Sequence, residues 1–152
     1  MGQDVALKLI HPQRLRSEAA RQRLLAEALL TRNIRHRNVV AVFDADEVDG
    51  VAYMVMELLQ GDSLRVWANG RLAKAAPCTM AEAATVVEAI LDGLEAAHTA
   101  NVIHRDLKPE NIHVTMADGR LTRLAVLDFG VARATNELAE RAGNPLGTAY
   151  YM

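Results

Sequence analysis

The hydrophobic and polar positions in the first third of the chain predict a strand, a helix and a hairpin. Residues 5–10 are apolar apart from one lysine, as in a buried strand. Residues 12–33 place apolar side chains at the helical period. Residues 39–44 and 51–57 are two further apolar runs, and the acidic turn between them ends in Asp49-Gly50, a dipeptide typical of β-hairpins. A small sheet with one helix is therefore predicted.

The rest of the chain is predicted to begin with helices. A short helix is predicted over 62–67, and Thr79-Met80-Ala81-Glu82 has the spacing of a capping box that opens a longer helix, 79–99. The apolar stripe of this longer helix consists of Ala83, Val87, Ile90, Leu91, Leu94 and Ala97. Short apolar runs then predict strands, with a turn at 117–119, at residues 102–103, 112–114 and 124–127. The two element types together indicate an α+β chain.

Length and composition indicate one globular domain of ordinary character. The chain has 152 residues, of which 51% are hydrophobic, and a formal net charge of −2. Its longest near-continuous apolar run, 51–56, is far shorter than the ~20 residues that span a membrane, so no membrane segment is predicted. The single cysteine, Cys78, excludes an internal disulfide and fits a reducing compartment. A cytoplasmic location is therefore expected.

A nucleic-acid partner is not expected. Residues 1–37 hold eight Lys or Arg against three acidic residues. Most of these basic side chains lie around the predicted helix and have no aromatic residues between them, so they are better explained as its solvated face.

The polar octapeptide 104–111 is the strongest candidate for chemistry. It lies on a predicted loop between two strands, where Pro109 disfavours a helix, and its polar side chains Asp106, Lys108 and Asn111 can converge on one point. A carboxylate can accept a hydroxyl proton, an ammonium can neutralise a phosphate oxygen, and an amide oxygen can share a magnesium ion with a second carboxylate. Asp128, which follows a predicted strand, is the candidate for that second carboxylate.

The order His-Arg-Asp-Leu-Lys-Pro-Glu-Asn at 104–111, followed by Asp-Phe-Gly at 128–130, resembles the catalytic and magnesium-binding loops of protein kinases. The lysine two residues after Asp106 is the form found in serine/threonine kinases. The resemblance implies that Asp106 accepts and orients the substrate hydroxyl, that Lys108 contacts the γ-phosphate, and that Asn111 and Asp128 bind magnesium. ATP and Mg²⁺ are thus the implied cofactors, and a protein with Ser or Thr is the implied substrate.

Lys8 needs a partner if its strand is buried, because an ammonium among apolar residues must be paired. Glu27 lies on the expected apolar face of the first helix, with Leu24 and Leu30 three residues to either side. The resemblance implies that Lys8 holds the α- and β-phosphates and forms an ion pair with Glu27. Two alternatives are an edge strand whose lysine points to water, and Glu18 as the partner.

The resemblance also implies an adenine pocket. Ala6 would cover the ring from above, Met56 would be the gatekeeper at the back, and the backbone from Glu57 to Leu59 would hydrogen-bond to the base. His113 stands where kinases usually carry an aliphatic side chain beneath the adenine. A second departure is Thr31, where kinases usually place Leu or Met in the apolar stack between the lobes.

The final six residues, 147–152, resemble the run that follows the kinase activation loop. Thr148 would hydrogen-bond to Asp106 and Lys108. Between Thr135 and Thr148 there is no Ser, Thr or Tyr, so activation by the usual phosphorylation in this loop is not expected.

The predicted architecture is an incomplete two-lobed protein kinase-like fold. Residues 1–56 form a partial small lobe without the glycine-rich hairpin, 57–60 form the hinge, and 61–152 form a large lobe that stops after the activation loop. The expected function is ATP-dependent phosphorylation of protein Ser or Thr, with weak activity because preorganised phosphate donors are missing. The alternatives are a small-molecule phosphotransferase, disfavoured by Arg105 and Lys108, and a non-catalytic nucleotide-binding or interaction module.

Overall fold

The computed structural model describes residues 2, 4–10 and 18–129. The helices and strands are β1 (Val5–Ile10), α1 (Glu18–Thr31), β2 (Val42–Val48), β3 (Val51–Glu57), β4 (Asp62–Ser63), α2 (Leu64–Ala73), α3 (Met80–Thr99), β5 (Ile112–Ala117) and β6 (Arg120–Val126). The predicted helical residues 12–17 and the predicted activation-loop residues, with Gly130 and Thr148, lie outside the described part. None of the described helices is long and apolar enough to cross a membrane.

The first sheet has the antiparallel order β1-β3-β2. The predicted hairpin is confirmed: Asp49 and Gly50 both have positive φ angles, 51° and 77°, as a two-residue turn between twisted strands requires. Strand β2 begins later than predicted because Val40 N–H donates to Val126 O (3.0 Å), away from the first sheet. The start of the predicted strand therefore connects this sheet to the second one.

Strand β1 is not buried on both faces as predicted. In the described residues it is an edge strand, and Val5, Leu7 and Leu9 are 44%, 58% and 63% exposed. Only the opposite face, with Ile10 buried and Ala6 half-buried, packs on the core. The composition of the run predicted the strand, whereas the exposed face depends on which elements cover it.

The buried face of α1 also differs from the predicted one. Leu24 and Ala28 are fully buried against the first sheet, whereas Leu30 is 54% exposed. The buried face is therefore centred on positions 24, 28 and 31. Thr31 is buried with its hydroxyl donating to Ala28 O (2.6 Å), so the polar group at this position is satisfied within the helix.

Helix α3 begins with the predicted capping box, in which Thr79 Oγ1 accepts from Glu82 N–H and the Glu82 side chain accepts from Thr79 N–H. Its buried residues are Val86, Gly93 and Ala97. The predicted stripe is wrong at Val87 and Leu91, which are both exposed. The packed face is thus rotated by about one position from the one expected.

The second sheet has the antiparallel order β4-β5-β6, and its hairpin turns at Asp118-Gly119 as predicted. No strand forms at 102–103, where Val102 is buried and Ile103 is exposed. This segment instead leads directly from α3 to the polar octapeptide. The helix predicted over 62–67 is α2, which starts after Ser63 and extends to Ala73.

Asn38 joins the two sheets. Its Nδ2 donates to Leu124 O (2.8 Å), and its own carbonyl accepts from Val126 N–H (2.8 Å). Helix α3 crosses this segment at Gly93, where an added Cβ would lie 2.6 Å from Asn38 O. The absence of a side chain at this position therefore permits the contact between α3 and the Asn38 segment.

We expect Gly93→Ala to lower the free energy of unfolding by roughly 1–3 kcal/mol, because either α3 or the Asn38 segment must shift. Gly70→Ala is the matched control, since Gly70 is also helical and a Cβ there meets nothing within 4 Å. That control is expected to stabilise the protein by about 0.5–1 kcal/mol. Urea unfolding measures the free energy of unfolding of both variants. Equal changes of the same sign in the two variants would contradict the packing at Gly93.

Candidate active site

The polar octapeptide is positioned by one turn of 3-10 helix. Pro109 occupies the first position of the turn Pro109–Asn111, where its missing N–H leaves no unsatisfied donor. Proline was expected to exclude helix here, and the structure shows that it instead starts this short turn. The octapeptide lies between α3 and β5 rather than between two strands.

Three predicted site residues meet around the Asp106 carboxylate. Lys108 Nζ lies 2.6 Å from Asp106 Oδ2, and Asn111 Nδ2 donates to the same oxygen (3.2 Å) and to Asp106 O (2.8 Å). Asn111 is buried, and the Asp106 and Lys108 side chains are each 23% exposed. The carboxylate is therefore held by two donors while part of it still faces solvent.

His104 connects this loop to the strand that carries Asp128. Asp106 N–H donates to His104 Nδ1 (3.2 Å), so Nε2 carries the proton and donates to Leu127 O (2.7 Å). The ring is buried edge-to-face against Phe129, with centroids 4.8 Å apart. Burial lowers the pKa of His104, which agrees with a neutral imidazole in this tautomer.

We expect His104→Gln to lower the free energy of unfolding by roughly 1–3 kcal/mol at neutral pH, because both imidazole hydrogen bonds are lost. The difference from wild type should shrink as the pH falls below about 6.5. In that range the unfolded state takes up a proton that the folded state, with its lowered pKa, does not, so the wild type loses stability by up to about 1.4 kcal/mol per pH unit.

The control for this prediction is His98→Gln, because His98 is exposed in the last turn of α3. Chemical unfolding of the three proteins between pH 5 and 8 provides the comparison. A pH-independent difference between wild type and His104→Gln would show that the buried ring is not neutral.

Asp128 lies two residues after the end of β6 and has an uncommon backbone conformation. Its φ angle is +61°, a left-handed value that Asp tolerates better than most residues. Leu127 N–H donates to Asn111 O (2.8 Å), so the peptide before Asp128 is bound to the octapeptide. The two predicted magnesium ligands, Asn111 and Asp128, are therefore on directly bonded segments.

Lys8 Nζ lies 2.5 Å from Asp128 Oδ1. The strand lysine thus reaches from the first sheet to Asp128, in the region between the two sheets that is here called the cleft, and the alternative of a lysine directed to water is wrong. The predicted ion pair between Lys8 and Glu27 stays a prediction; Glu27 is half-buried on α1.

The donor set fits a hard divalent cation that also takes phosphate oxygens. The amide nitrogen of Asn111 donates to Asp106 and Lys8 contacts Asp128 through Oδ1, so Asn111 Oδ1 and Asp128 Oδ2 are the atoms that would bind a cation. One carboxylate and one amide oxygen are typical of a magnesium site completed by substrate and water. No group of three or more His, Cys, Asp or Glu that could hold a metal occurs within the described ranges.

The predicted adenine-pocket residues Ala6, Met56 and Leu59 lie at one edge of the core that β1, α1, β2 and β3 form, here called the small-lobe core. Met56 is buried in that core, and Ala6, Leu59 and Leu127 pack against it. Ala6 and Met56 are cross-strand partners, which places the predicted roof and gatekeeper side by side. The predicted base-binding segment begins at Glu57, immediately after Met56.

His113 lies in β5 between the buried residues Ile112 and Val114, so it faces the other side of the sheet from them. Its Nε2 is buried and has no hydrogen-bond partner in the described part of the chain. A polar atom at the predicted floor of the adenine pocket is thus left without a partner among the described residues.

Sequence reasoning missed Arg123. Its guanidinium donates to both carboxylate oxygens of Glu57, at 2.9 Å for the Nη2–Oε2 bond, and its Nε donates to Arg37 O (3.0 Å). The pKa of Glu57 is lowered chiefly by this hydrogen bonding. The only sequence signal is a charged residue just before the apolar run at 124–127, which gives no indication of its partner.

A family model described as the protein kinase domain matches residues 1–152. The serine/threonine-protein kinase Pkn1 of Myxococcus xanthus is 35% identical over 154 residues, covering 100% of this chain and 21% of Pkn1. The probable serine/threonine-protein kinase PknB of Corynebacterium glutamicum is 36% identical, covering 100% of this chain and 23% of that relative. This chain therefore spans less than a quarter of the length of these relatives.

Solved structures of kinase domains are also similar to this chain. The PknI kinase domain of Mycobacterium tuberculosis superimposes with a TM-score of 0.68 at 25% identity, covering 93% of this chain and 56% of that one. A mutant of the PknI kinase domain gives a TM-score of 0.69 at 28% identity, covering 84% and 50%.

Proposed function

This chain belongs to the protein kinase family, and we propose that it transfers the γ-phosphate of ATP to Ser or Thr hydroxyls of proteins. The observation that carries the proposal is the cluster at Asp106, in which Lys108 and Asn111 both contact Oδ2, next to the Lys8–Asp128 pair. Two carboxylates, two ammonium groups and an amide in one cleft match the requirements of phosphoryl transfer.

Asp106 is the residue that orients the attacking hydroxyl and accepts its proton. As the substrate oxygen forms its bond to the γ-phosphorus, the bond from that phosphorus to the β,γ-bridging oxygen breaks, and ADP leaves with the electron pair. Lys108 and Asn111 hold the carboxylate through Oδ2, which fixes the orientation in which it would accept the proton of the hydroxyl. Lys108 also places a positive charge where the transferred phosphate carries negative charge.

Lys8 and Asp128 form the phosphate end of the cleft. Lys8 would neutralise the α- and β-phosphates, and its contact with Asp128 keeps both side chains directed into the cleft before nucleotide binds. Asn111 and Asp128 would hold magnesium, which when bound screens the charge on the phosphates. The short bond from Leu127 N–H to Asn111 O maintains the spacing of these two ligands.

The base would bind at the edge of the small-lobe core. Ala6 and Met56, which are cross-strand partners, would supply apolar surface. The backbone from Glu57 to Leu59 would supply hydrogen bonds, and His113 would lie beneath the ring. Because this contact set is mostly apolar and backbone, it would select a flat heteroaromatic base.

A second candidate function is nucleotide binding without transfer. The observation that favours it is His113, whose buried Nε2 has no partner among the described residues. An imidazole at this position changes the polarity of the predicted adenine floor. Such a module would bind ATP and magnesium but release ATP unchanged.

The test is incubation of the purified chain with ATP, magnesium and a Ser/Thr-rich protein such as casein, followed by mass spectrometry for phosphoserine and phosphothreonine. The proposal predicts phosphorylation that the Asp106→Asn variant lacks. ATP binding by a folded chain with no phosphorylated product would contradict transfer and support the second candidate.

A further inference from the structure

The four residues 57–60, here called the hinge segment, are anchored at both ends by the second sheet. At its start, the Glu57 carboxylate is bound by the forked guanidinium of Arg123 on β6. At its end, Gln60 O accepts from Thr115 Oγ1 on β5 (2.8 Å). Between these anchors, Leu58 is exposed and Leu59 packs against the small-lobe core.

The two anchors are one structural unit, because Thr115 and Arg123 are direct cross-strand partners in the β5–β6 ladder. Side chains of directly opposed residues lie on the same face of a sheet, about 5 Å apart at Cβ. A single cross-strand pair, here called the anchor pair, therefore holds both ends of the hinge segment. The ladder is strengthened beside it by Thr122 Oγ1, which donates to Thr115 O (3.1 Å).

Arg123 also extends the anchorage to the connection between α1 and β2. Its Nε donates to Arg37 O (3.0 Å), and Arg37 Nη2 donates back to Thr122 O (3.4 Å). Glu57 itself is bonded to Ala41 through its backbone N–H (2.9 Å). The guanidinium thus uses Nη1 and Nη2 on the hinge segment and its Nε on the connection between α1 and β2.

The same strand that carries Arg123 leads to Asp128, five residues later. A shift of the hinge segment relative to β6 would change the distance between the base-binding backbone and the predicted magnesium ligand. Both bonds of the anchor pair oppose such a shift. The ion pair is half-buried, with 29% and 25% of the Arg123 and Glu57 side chains exposed, so it is less screened than a surface pair.

We propose that Thr115 and Arg123 are positioning residues, which hold the hinge segment at the separation from Asp128 that nucleotide binding requires. The inference rests on the proposed nucleotide site and adds two residues to it that do not touch nucleotide. Its consequence is that loss of the anchor pair raises KM for ATP more than it lowers kcat, because the groups around the transferred phosphate are unchanged.

The test variant is Thr115→Val with Arg123→Gln, which removes one hydroxyl-to-carbonyl bond, one ion pair and the bond from Arg123 Nε to Arg37 O. The matched control is Thr85→Val with Arg71→Gln. Thr85 Oγ1 donates to Ala81 O (3.0 Å), and Arg71 pairs with Glu82 (2.9 Å), both away from the cleft. Arg71 Nε also donates to a backbone carbonyl, Ala76 O (3.0 Å), as Arg123 Nε does to Arg37 O, so each double variant loses the same three kinds of interaction.

Two measurements are made on each protein. The first is hydrogen exchange of the Glu57 amide, which donates to Ala41 O (2.9 Å) at the start of the hinge segment, measured by NMR without nucleotide. We expect exchange about tenfold faster in the test variant than in the control. The second is the Kd for ATP with magnesium, which should rise about tenfold in the test variant and stay near the wild-type value in the control.

The outcomes separate this inference from the proposed function. Equal exchange at the hinge segment in test and control variants overturns the inference, whether or not ATP binds. Failure of the wild type to bind ATP overturns the proposed function, while faster exchange in the test variant still supports the anchorage.

If the double variant does not fold, Thr115→Val alone against Thr85→Val gives the same comparison. Arg123→Lys should restore only part of the protection from exchange and of the ATP affinity, because lysine lacks the forked pair of donors.

Discussion

Asp106→Asn is expected to lower the rate of phosphoryl transfer by about 10²–10⁴-fold while leaving the Kd for ATP unchanged. Asparagine keeps the shape of the side chain and its bond from Asn111, but it cannot accept the hydroxyl proton. The loss should therefore appear in kcat rather than in nucleotide binding. Single-turnover transfer to a protein acceptor, together with calorimetric titration of ATP, measures both quantities.

The control for this variant is Asp92→Asn, because Asp92 is an exposed carboxylate on α3. It removes the same charge from the protein without touching the cleft. Equal transfer rates for Asp106→Asn and wild type would show that Asp106 is not the proton acceptor. A parallel loss of ATP binding would instead assign it to the nucleotide site.

The second large effect is expected for Lys8→Met, which should lower kcat/KM for ATP by about 10²–10³-fold. Methionine keeps the length and apolar stem of lysine but removes the charge that faces the phosphates. It also leaves the Asp128 carboxylate without the ammonium that contacts Oδ1. Both consequences weaken the phosphate end of the cleft, so ATP affinity and turnover should fall together.

Lys74→Met serves as its control, since Lys74 is exposed at the end of α2. Steady-state kinetics at varied ATP and circular dichroism of both variants separate a site effect from a loss of fold. A Lys8→Met variant with wild-type kcat/KM would contradict the assignment of Lys8 to the phosphates.

Features encoded within a few residues could be predicted from the sequence. The turn at Asp49-Gly50 and the capping box at Thr79–Glu82 depend only on local chemistry, and both are confirmed. The family and the α+β kinase-like fold class are likewise confirmed by the family model and the structural relatives. The predicted lobe boundaries at 56 and 61 stay a prediction.

Features set by distant contacts could not be predicted. Periodicity identifies α1, but the exposure of Leu30 depends on where the first sheet lies, as the exposure of Leu7 depends on what covers β1. The Glu57–Arg123 pair joins residues that are 66 positions apart, and neither has a sequence feature that selects the other. Long-range pairings of this kind become visible only when the register of the strands is known.

The central claim is that this cleft binds ATP with magnesium, and calorimetric titration of ATP with and without the metal tests it most directly. The decisive comparison is wild type against Asp128→Asn, with Asp118→Asn as the control. Both aspartates have left-handed backbones, with φ of +61° and +50°, and Asn tolerates this region as well as Asp does. The two substitutions therefore have the same effect on the backbone. We predict magnesium-dependent binding that Asp128→Asn abolishes and Asp118→Asn retains. Binding that is absent from the folded wild type, or unaffected by Asp128→Asn, would contradict the account.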